Sequence, residues 1–408
     1  MANDAVAGDA LPKARTPPPG IGEVGPQVLT TFTGDLRAAV EGTLAAFLSG
    51  QIDALAEIDP AAGDFARTAR DCVLAGGKRI RPTFAYWGWR GVVGGHEPVG
   101  PVLPALAALE LLHTFALVHD DVMDASATRR GRPTAHRILA AQHIAARQTG
   151  DADRFGEAAA VLVGDLCLVW ADRMMSHAGV PAATQLEARR CYDQMRIETV
   201  AGQYLDVLSE TDARRWSLDR ALRVARYKTA SYTVQRPLLF GAALAELRRD
   251  GPLTAAYSRY GIAVGEAFQL RDDLLGVFGD PTTTGKPAGD DLRSGKPTAL
   301  LMLARELATT GQRAVLDRIR PAGPGAGAGG PVEDGAAGPG AGATGGVGND
   351  VVAGVAEVVA ATGAVELIER MIEDRVADAL TALDTAPMDQ IARQALTDLA
   401  VTATHRRA

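Results

Sequence analysis

The sequence predicts an all-α protein built as a single helical bundle. Apolar residues recur at intervals of three and four in long segments between about residue 27 and residue 320, for example in VLPALAALELLHTFALVHDD and YGIAVGEAFQLRDDLLGVF. Such intervals place the apolar residues on one face of a helix. Ala and Leu dominate these segments, and strand-like alternation of β-branched residues is scarce, which favours helices over a sheet.

The chain is predicted to fold as one domain, residues 28–408, after a disordered tail at residues 1–27 that is rich in Pro, Gly and Ala. A second stretch rich in Gly, Ala and Pro, at about residues 321–350, is typical of a flexible loop. We interpret this stretch as an insertion within one domain. A linker between two domains is the alternative, but the helical segment that follows is too short to hold its own core.

The bulk composition argues against several classes of protein. The formal net charge is −7 and the charges are scattered, which disfavours binding to nucleic acid. The chain has no apolar run of about twenty residues that would span a membrane, and its N-terminus lacks the apolar segment of a secretion signal. Cys72, Cys167 and Cys191 are spaced too widely to indicate a disulfide framework or a zinc site. We therefore expect a cytoplasmic protein.

The first candidate site is an apolar helix that ends in carboxylates. In LLHTFALVHDDVMD, Asp120 and Asp124 lie one turn apart on one helix face, and His113 lies on nearly the same face. Asp121 points away from that face. Like charges at this spacing repel, so a cation is expected to offset them unless the helix end is simply solvated.

A second acidic cluster follows on another apolar helix. FQLRDDLLGVFGD contains Asp272 and Asp273, with Gln269 one turn earlier and Asp280 after them. Carboxylates on two helices can share divalent ions, and ligands made of oxygen alone suit Mg²⁺. Zinc fits less well, because the clusters lack His and Cys pairs at ligand spacing.

Basic motifs around these clusters indicate an anionic ligand. In GGKRIRP the glycines permit a tight turn and Pro82 suits the first turn of a helix, so Lys78 and Arg81 are expected beside an anion-binding helix N-terminus. Arginine forks match the oxygens of a diphosphate. Other motifs supply Arg129, Arg130, Lys228 with Thr229, Lys286 and Lys296. Each motif alone is usually ordinary surface charge, but their combination with two acidic clusters predicts a bound diphosphate.

These motifs resemble, in the same order, those of the trans-isoprenyl diphosphate synthases, also called the polyprenyl synthetase family, and are most like those of geranylgeranyl diphosphate synthases. DDVMD followed by RRG matches the first Asp-rich motif, and GGKRIRP, GQYLD, KTA and FQLRDDLLGVFGD match others. The resemblance covers about residues 35–320 and the C-terminal helices. It implies one bundle of antiparallel helices around a deep central cavity, and a homodimer.

The resemblance also implies an activity and site roles. The expected enzyme is a Mg²⁺-dependent prenyltransferase that joins isopentenyl diphosphate head-to-tail to dimethylallyl, geranyl or farnesyl diphosphate. Asp120 and Asp124 are expected to ligate two Mg²⁺ ions and Asp272 a third, with Mn²⁺ as an alternative metal. The allylic diphosphate is expected to bind Arg129, Lys228 and Lys286. Isopentenyl diphosphate is expected to bind Lys78, Arg81, His113 and Arg130. Thr229 and Gln269 are expected to line the path of the developing cation, and Lys296 is expected to make a further substrate contact.

The second Asp motif departs from the family pattern at one position. It ends in Gly276, where the family has its last Asp. The third metal ion would then rest on Asp272, helped by Asp273 and water. We expect activity to survive, because the first motif and the basic residues are intact.

Residues just before Asp120 are expected to set the length of the product. Phe115 lies five residues before Asp120, and the small Ala116 lies four before it. An aromatic residue with a small neighbour resembles the geranylgeranyl-forming members, so a C20 product is predicted, with C15 or C25 and longer products as alternatives. Plain core packing is the competing interpretation of Phe115.

Two rival functions follow from the same motifs. A terpene cyclase also uses an Asp-rich motif with Mg²⁺, but it needs no second diphosphate site, so GGKRIRP and His113 count against it. A non-catalytic partner subunit usually lacks residues of the Asp motifs, whereas the first motif is complete here.

Overall fold

The computed structural model describes residues 26–95, 97–211, 217–246, 250–280, 289–319 and 348–404. Within these ranges the chain is almost entirely helical, which confirms the all-α prediction, and one two-stranded ribbon is the only sheet among them. Pro26 and Gln27, predicted to belong to the tail, begin the first helix, and residues 349 and 350 of the predicted insertion begin another. The rest of the tail and of the insertion lies outside the described residues.

The N-terminal half consists of long helices and the short ribbon. Its elements are α1 (Pro26–Ile58), α2 (Pro60–Val73), α3 (Ile80–Val93), α4 (Leu103–Met123), β1 (Thr128–Arg129), β2 (Arg132–Pro133), α5 (Ala135–Ala145), α6 (Ala152–Met175) and α7 (Ala182–Thr211). Asp59 and Asp151 cap α2 and α6 by accepting from backbone N–H groups of the first turn. Pro82 lies in the first turn of α3, as predicted.

The C-terminal half contains an unusual helix. Its elements are α8 (Leu218–Val224), a π-helix (Ala225–Gln235), α9 (Arg236–Leu244), α10 (Pro252–Phe278), α11 (Asp290–Arg293), α12 (Ala299–Leu307), α13 (Thr310–Leu316), a 3₁₀ turn (Asp317–Ile319), α14 (Asn349–Ala361), α15 (Ala364–Asp384) and α16 (Gln390–Thr404). π-Helical segments are rare and are frequent at functional sites. The π-helix here carries the KTA motif.

The described apolar residues form two packed clusters that anchor the two acidic motifs. In the first cluster α4 packs on α6 and α3 packs on α9, with Leu106, Leu109 and Leu112 of α4 fully buried. Burying one such side chain stabilises the fold by about 1.5–3 kcal/mol. In the second cluster the end of α10 packs with α12, α14 and α15. The acidic motifs therefore lie at the ends of helices that are held by different parts of the core.

No helix within the described ranges is, by itself, both long enough and apolar enough to cross a membrane. Helices α14 and α15 meet that standard only as a pair, and a bend of 63° separates them. Val355 and Ile368 of this pair are fully buried in the second cluster.

Candidate active site

A cavity of about 160 Å³ lies between α7, α8, the π-helix, α10 and the turn before α12. Its wall carries charges of both signs: Lys228 and Lys296 share it with Asp206, Asp273 and Asp291. Thr229 and Gln269, both predicted to contact substrate, also line it. The structure thus brings the predicted basic motifs and the second acidic motif to one cavity.

Asp120 lies beside this cavity and is surrounded by hydrogen-bond donors. It accepts from Lys228 Nζ at 3.0 Å, from Gln203 Nε2 at 3.0 Å and from an Arg129 guanidinium nitrogen at 3.2 Å. Burial alone would raise the pKa of Asp120, but Lys228, Lys296 and Arg129 outweigh it and lower the pKa to about 2. The repulsion expected between the carboxylates of this motif is therefore offset by protein cations.

Asp124 lies just beyond the last residue of α4 and pairs with Lys296. The two side chains meet at 2.8 Å, although they are 172 residues apart in the chain. Burial lowers the pKa of Lys296, but Asp124 and Asp206 outweigh it and raise the pKa above its ordinary value. Lys296 thus stays charged beside the first acidic motif. Lys286, predicted to bind the allylic diphosphate, lies outside the described residues.

Asp121 and Arg129 form a partly buried ion pair next to Asp120. Asp121 is 4% exposed and accepts from Arg129 Nε at 2.7 Å. Arg129 belongs to β1, and the turn to β2 is made by Arg130 and Gly131, whose φ angles are 53° and 72°. Two positive φ angles define the tight hairpin turn that suits Gly. The ribbon therefore folds back and aims Arg129 at the end of α4.

Gln203 and Asp206, both on α7, are site residues that the sequence interpretation missed. Asp206 accepts from Lys228, and Gln203 donates to Asp120. Lys228 therefore joins two carboxylates from different helices. The motif GQYLD contained the signal, because its Gln and Asp are three residues apart and share a helix face. Their partners lie on other helices, and spacing alone does not reveal them.

Glycines allow the π-helix to approach its neighbours. A Cβ on Gly202 of α7 would lie 2.3 Å from the backbone nitrogen of Lys228, and a Cβ on Gly265 of α10 would lie 2.6 Å from Cα of Ala230. Backbone this close leaves no room for a side chain, so glycine is required at both positions. The π-helix is thus held between α7 and α10, which places Lys228 within reach of Asp120.

In the second acidic motif, Asp273 lines the cavity. It accepts from Gln269 Nε2 at 2.8 Å and from the backbone N–H of Ala299 at 3.1 Å. Burial raises the pKa of Asp273 to about 8. Asp272, the residue predicted to hold a metal ion, is half-buried and is not among the described residues that line this cavity. Its role as a ligand stays a prediction.

Gly276 leaves room for a carboxylate from another element. A Cβ at Gly276 would lie 2.0 Å from Oδ2 of Asp291, so a side chain here would displace Asp291. Asp291 belongs to α11 and lines the cavity. The position where the sequence lacks an Asp is therefore occupied by the carboxylate of Asp291, which the sequence interpretation did not single out.

Arg81 and His113 form a second, separate polar group with the π-helix. The Arg81 guanidinium lies 4.1 Å from the centre of the Tyr232 ring and donates to Thr233 at 2.9 Å. His113 Nδ1 lies 3.5 Å from the Tyr232 hydroxyl. Burial, with Arg81 and Arg130, lowers the pKa of His113 well below its usual value. Within the described part of the chain, the buried Nε of Arg81 has no hydrogen-bond partner, so a donor remains for an anion.

The loop before α3 completes this group. Arg130 donates to the carbonyl of Gly76 at 2.6 Å, which brings the ribbon against the GGKRIRP loop. Lys78 is exposed on the same loop. Arg79, which had no predicted role, is buried and pairs with Glu110 at 2.7 Å. The predicted cations Lys78, Arg81 and Arg130 are therefore neighbours, and Arg79 anchors their loop to α4.

The sequence profile of the polyprenyl synthetase family matches residues 64–324, which include both acidic motifs and the GGKRIRP loop. The chain belongs to this family. This synthetase is 34% identical over 254 residues to geranylfarnesyl diphosphate synthase of Aeropyrum pernix, covering 61% of this chain and 72% of that protein. It is 37% identical over 206 residues to geranylgeranyl diphosphate synthase of Mycobacterium tuberculosis, covering 50% of this chain and 53% of that protein. The alignment thus spans about half of the second relative.

A solved structure supports the same assignment. Geranylgeranyl pyrophosphate synthase from Corynebacterium glutamicum, complexed with isoprenyl diphosphate and magnesium, is 37% identical to the synthetase and superposes with a TM-score of 0.81. The match covers 91% of this chain and 99% of that one. The predicted family, the helical fold and the enzyme class, a prenyltransferase, are confirmed. The role assigned to each site residue stays a prediction.

The two residues predicted to set product length lie on α4 of the synthetase. Phe115 and Ala116 are partly buried and pack against the first apolar cluster. The Phe115 ring meets the ring of His119 edge to face, with 4.8 Å between centroids. This position is compatible with a wall of the product channel and with plain core packing, so both interpretations remain.

The donor set of the synthetase suits a hard divalent cation. The acidic side chains in and beside the cavity offer only oxygen ligands. They are those of Asp120, Asp124, Asp206, Asp273 and Asp291. In the ranges that the structure describes, no three His, Cys, Asp or Glu side chains are grouped closely enough to hold an ion. Mg²⁺ is usually held by one or two carboxylates, water and the phosphates of a substrate. The site therefore fits Mg²⁺ that binds together with a diphosphate.

Proposed function

We propose that this synthetase condenses isopentenyl diphosphate with an allylic diphosphate to make an all-trans prenyl diphosphate. The observation that carries the proposal is the presence of two separate polar groups that both contact the π-helix. One group, around Asp120 and Lys228, combines carboxylates with cations. The other, around Arg81 and Arg130, is cationic. A reaction between two diphosphates needs two such sites, and a terpene cyclase needs only one.

The allylic diphosphate is assigned to the group around Asp120 and Lys228. Asp120 and Asp124 would hold Mg²⁺, and Mn²⁺ is a plausible substitute because it accepts the same oxygen ligands. Lys228, Lys296 and Arg129 lie around these carboxylates and would contact the phosphate oxygens. The family is expected to bind about three Mg²⁺ ions in each active site. Asp272, or the carboxylates near it, would hold the third ion.

Isopentenyl diphosphate is assigned to the cationic group around Arg81 and Arg130. Arg81 and Arg130 would bind its phosphates, with Lys78 at the open edge. His113 has a lowered pKa and is neutral at pH 7, so it would act as a hydrogen-bond donor or acceptor and not as a charge. The Tyr232 and Thr233 side chains fix the Arg81 guanidinium in place.

The reaction follows from this arrangement. When bound, Mg²⁺ supplies positive charge that stabilises the departing diphosphate. Lys228 and Arg129 hold that diphosphate as the allylic carbon–oxygen bond breaks. The double bond of isopentenyl diphosphate then attacks the allylic carbon, a carbon–carbon bond forms, and one proton is lost to the released diphosphate. Thr229 and Gln269, which line the cavity, would face the developing cation with neutral oxygen atoms.

The proposed product is geranylgeranyl diphosphate, C20, with farnesyl diphosphate or products of C25 and longer as alternatives. The proposal rests on Phe115 and Ala116, which lie on α4 before Asp120. The relatives named above are geranylfarnesyl and geranylgeranyl synthases, which is compatible with a medium-length product.

A homodimer is proposed from the exposed apolar residues of two neighbouring helices. Phe155, Leu162 and Val169 recur every seven residues along α6, and Leu162 and Val169 are 57% and 62% exposed. Ile197, Val200 and Tyr204 form a similar exposed row on α7. Rows of exposed apolar residues at helical spacing are typical of a protein interface.

The expected cytoplasmic location of the protein is a further part of the proposal.

The two-site assignment can be tested by measuring the KM for each substrate separately. Arg81→Ala should raise the KM for isopentenyl diphosphate by about tenfold or more and leave the KM for the allylic substrate nearly unchanged. Lys296→Ala should affect mainly the allylic substrate and the Mg²⁺ dependence. If both variants change both KM values equally, the two groups are not separate substrate sites.

A further inference from the structure

The His119 side chain of α4 packs directly against the backbone of α6 at Gly164. Only glycine leaves room for the ring at this position. A Cβ on Gly164 of α6 would lie 2.2 Å from Cδ2 and Nε2 of the His119 ring. His119 Nε2 lies 2.9 Å from the carbonyl oxygen of Val161, one turn earlier on α6. A carbonyl oxygen only accepts, so Nε2 must carry the proton. The ring is therefore fixed in both position and tautomer.

The His119 ring also contacts Phe115. The two residues are four apart on α4 and share one face, and their rings meet edge to face with centroids 4.8 Å apart. Such contacts contribute about 0.5–1.5 kcal/mol and define ring orientation. Phe115 is partly buried and also packs against the first apolar cluster. His119 is thus a fixed support for the Phe115 ring, in addition to the contacts that Phe115 makes with the first apolar cluster.

We propose that His119, seated by Gly164, is a positioning residue that holds Phe115 across the path of the growing chain. This inference rests on the proposed function, in which Phe115 limits product length. His119 acts only through Phe115 and touches no reacting atom. Removing the support lets Phe115 rotate into the space that His119 vacates, and the channel becomes deeper.

The test is the product distribution of purified variants with labelled isopentenyl diphosphate and geranyl diphosphate. His119→Ala and Gly164→Ala should each raise the ratio of C25 and longer products to the wild-type product by about tenfold, a typical discrimination for a small change in an apolar pocket. Val161→Ala is the matched control, because its side chain is exposed and its carbonyl group is retained. This variant should keep the wild-type distribution.

A double variant separates a positioning role from a general structural one. Phe115→Ala should lengthen the product by itself, and adding His119→Ala should lengthen it no further, since residues that act as a unit are not additive. If Phe115→Ala lengthens the product but His119→Ala and Gly164→Ala do not, the inference fails and the proposed role of Phe115 stands. If Phe115→Ala has no effect on length, the proposed role of Phe115 fails and the inference fails with it. Should Gly164→Ala not fold, His119→Ala decides alone.

Discussion

At the scale of single residues, the site is governed by charge balance around Asp120. Three donors surround its carboxylate. Burial acts to raise its pKa, but the charges of Lys228, Lys296 and Arg129, with the hydrogen bond from Lys228, lower the pKa to about 2. A carboxylate with so low a pKa is ionised at any physiological pH. It is therefore ready to accept a divalent cation without first losing a proton.

Replacing Lys228 should show how much of the catalysis depends on this balance. Lys228→Met removes the ammonium that joins Asp120 to Asp206 and leaves both carboxylates facing each other. We expect kcat to fall by about 10²–10³-fold, because a fixed charge at the leaving group is lost. Steady-state kinetics at saturating substrate and Mg²⁺ measures the effect.

Arg223→Met is the control for Lys228→Met. Arg223 lies on α8, and its ion pair with Asp219 is exposed, so its loss should change kcat by less than about twofold. A Lys228→Met variant that keeps a kcat close to the wild-type value would show that Lys228 is a structural ion-pair partner only.

The sequence predicted the chemical type of these residues better than their partners. Asp120, Asp124 and Lys228 were identifiable because their motifs have fixed spacing. Asp291 was not, because its importance arises from the space beside Gly276, 15 residues earlier, and depends on how α11 folds back on α10. A contact made by folding leaves no periodic pattern in the sequence.

At the scale of elements, the π-helix is the feature that contacts both polar groups of the site. It presents Lys228 to Asp120 and presents Tyr232 and Thr233 to Arg81. The sequence did not predict it, because the apolar spacing of a short π-helix cannot be distinguished from that of an α-helix. The glycines that hold it were visible in the sequence, but the backbone atoms they approach were not.

Gly265→Ala should damage both stability and activity. The added methyl group would lie 2.6 Å from backbone atoms of Ala230, so the π-helix must shift away from α10. We expect a loss of about 1–3 kcal/mol in the free energy of unfolding and a lower kcat. Gly354→Ala on α14 is the matched control. Among the described residues nothing lies within 4 Å of that Cβ, so the change should stabilise by about 0.5–1 kcal/mol.

Urea unfolding monitored by circular dichroism, together with kinetics, measures both effects. The account would be wrong if Gly265→Ala were as stable and as active as the wild type, since the close approach of the helices would then not be needed.

Glu198 should couple stability to pH. This residue of α7 accepts from Ser231 of the π-helix at 2.7 Å and from Arg236 of α9 at 2.8 Å. Burial raises the pKa of Glu198, but hydrogen bonds from Arg236, Gln194 and Ser231 outweigh it and lower the pKa. A lowered pKa means that the stabilisation is present above the unfolded-state pKa, about 4.3 for Glu, and is lost as pH falls through the folded-state value.

Glu198→Gln should therefore lower the free energy of unfolding by about 1–3 kcal/mol at pH 7, and the difference from the wild type should shrink below about pH 4. Glu187→Gln on the same helix is the control, because its pair with Arg190 is exposed and is worth less than about 1 kcal/mol. A difference that does not depend on pH would contradict the proposed charge effect.

At the scale of the whole molecule, the fold class was predictable from the sequence, but the packing of the helices into two core clusters was not. Apolar spacing predicted a helical bundle because the helices, such as α4 and α10, are long and regular. The arrangement of two core clusters that hold separate acidic motifs depends on contacts between distant segments, for example between α10 and α15. The resemblance to a family implied one bundle of antiparallel helices, but not the division of its core into two clusters.

The exposed rows on α6 and α7 predict a dimer that a single charge should disrupt. Leu162→Glu places a carboxylate in the centre of the α6 row and should shift the protein to a monomer at micromolar concentration. Ile58→Glu is the control, because Ile58 is 80% exposed at the end of α1 and lies on neither helix. Sedimentation velocity distinguishes the two states. A wild-type monomer, or a Leu162→Glu variant that remains dimeric, would rule out this surface.

The most direct test of the central claim is a chromatogram of products made by the purified chain alone. The chain is incubated with Mg²⁺, labelled isopentenyl diphosphate and, in separate reactions, dimethylallyl, geranyl or farnesyl diphosphate, and the products are dephosphorylated and separated by length. We predict labelled geranylgeraniol as the main product with each starter, and no product when EDTA is added. Absence of label in any prenyl product, or consumption of an allylic diphosphate without isopentenyl diphosphate, would contradict the account.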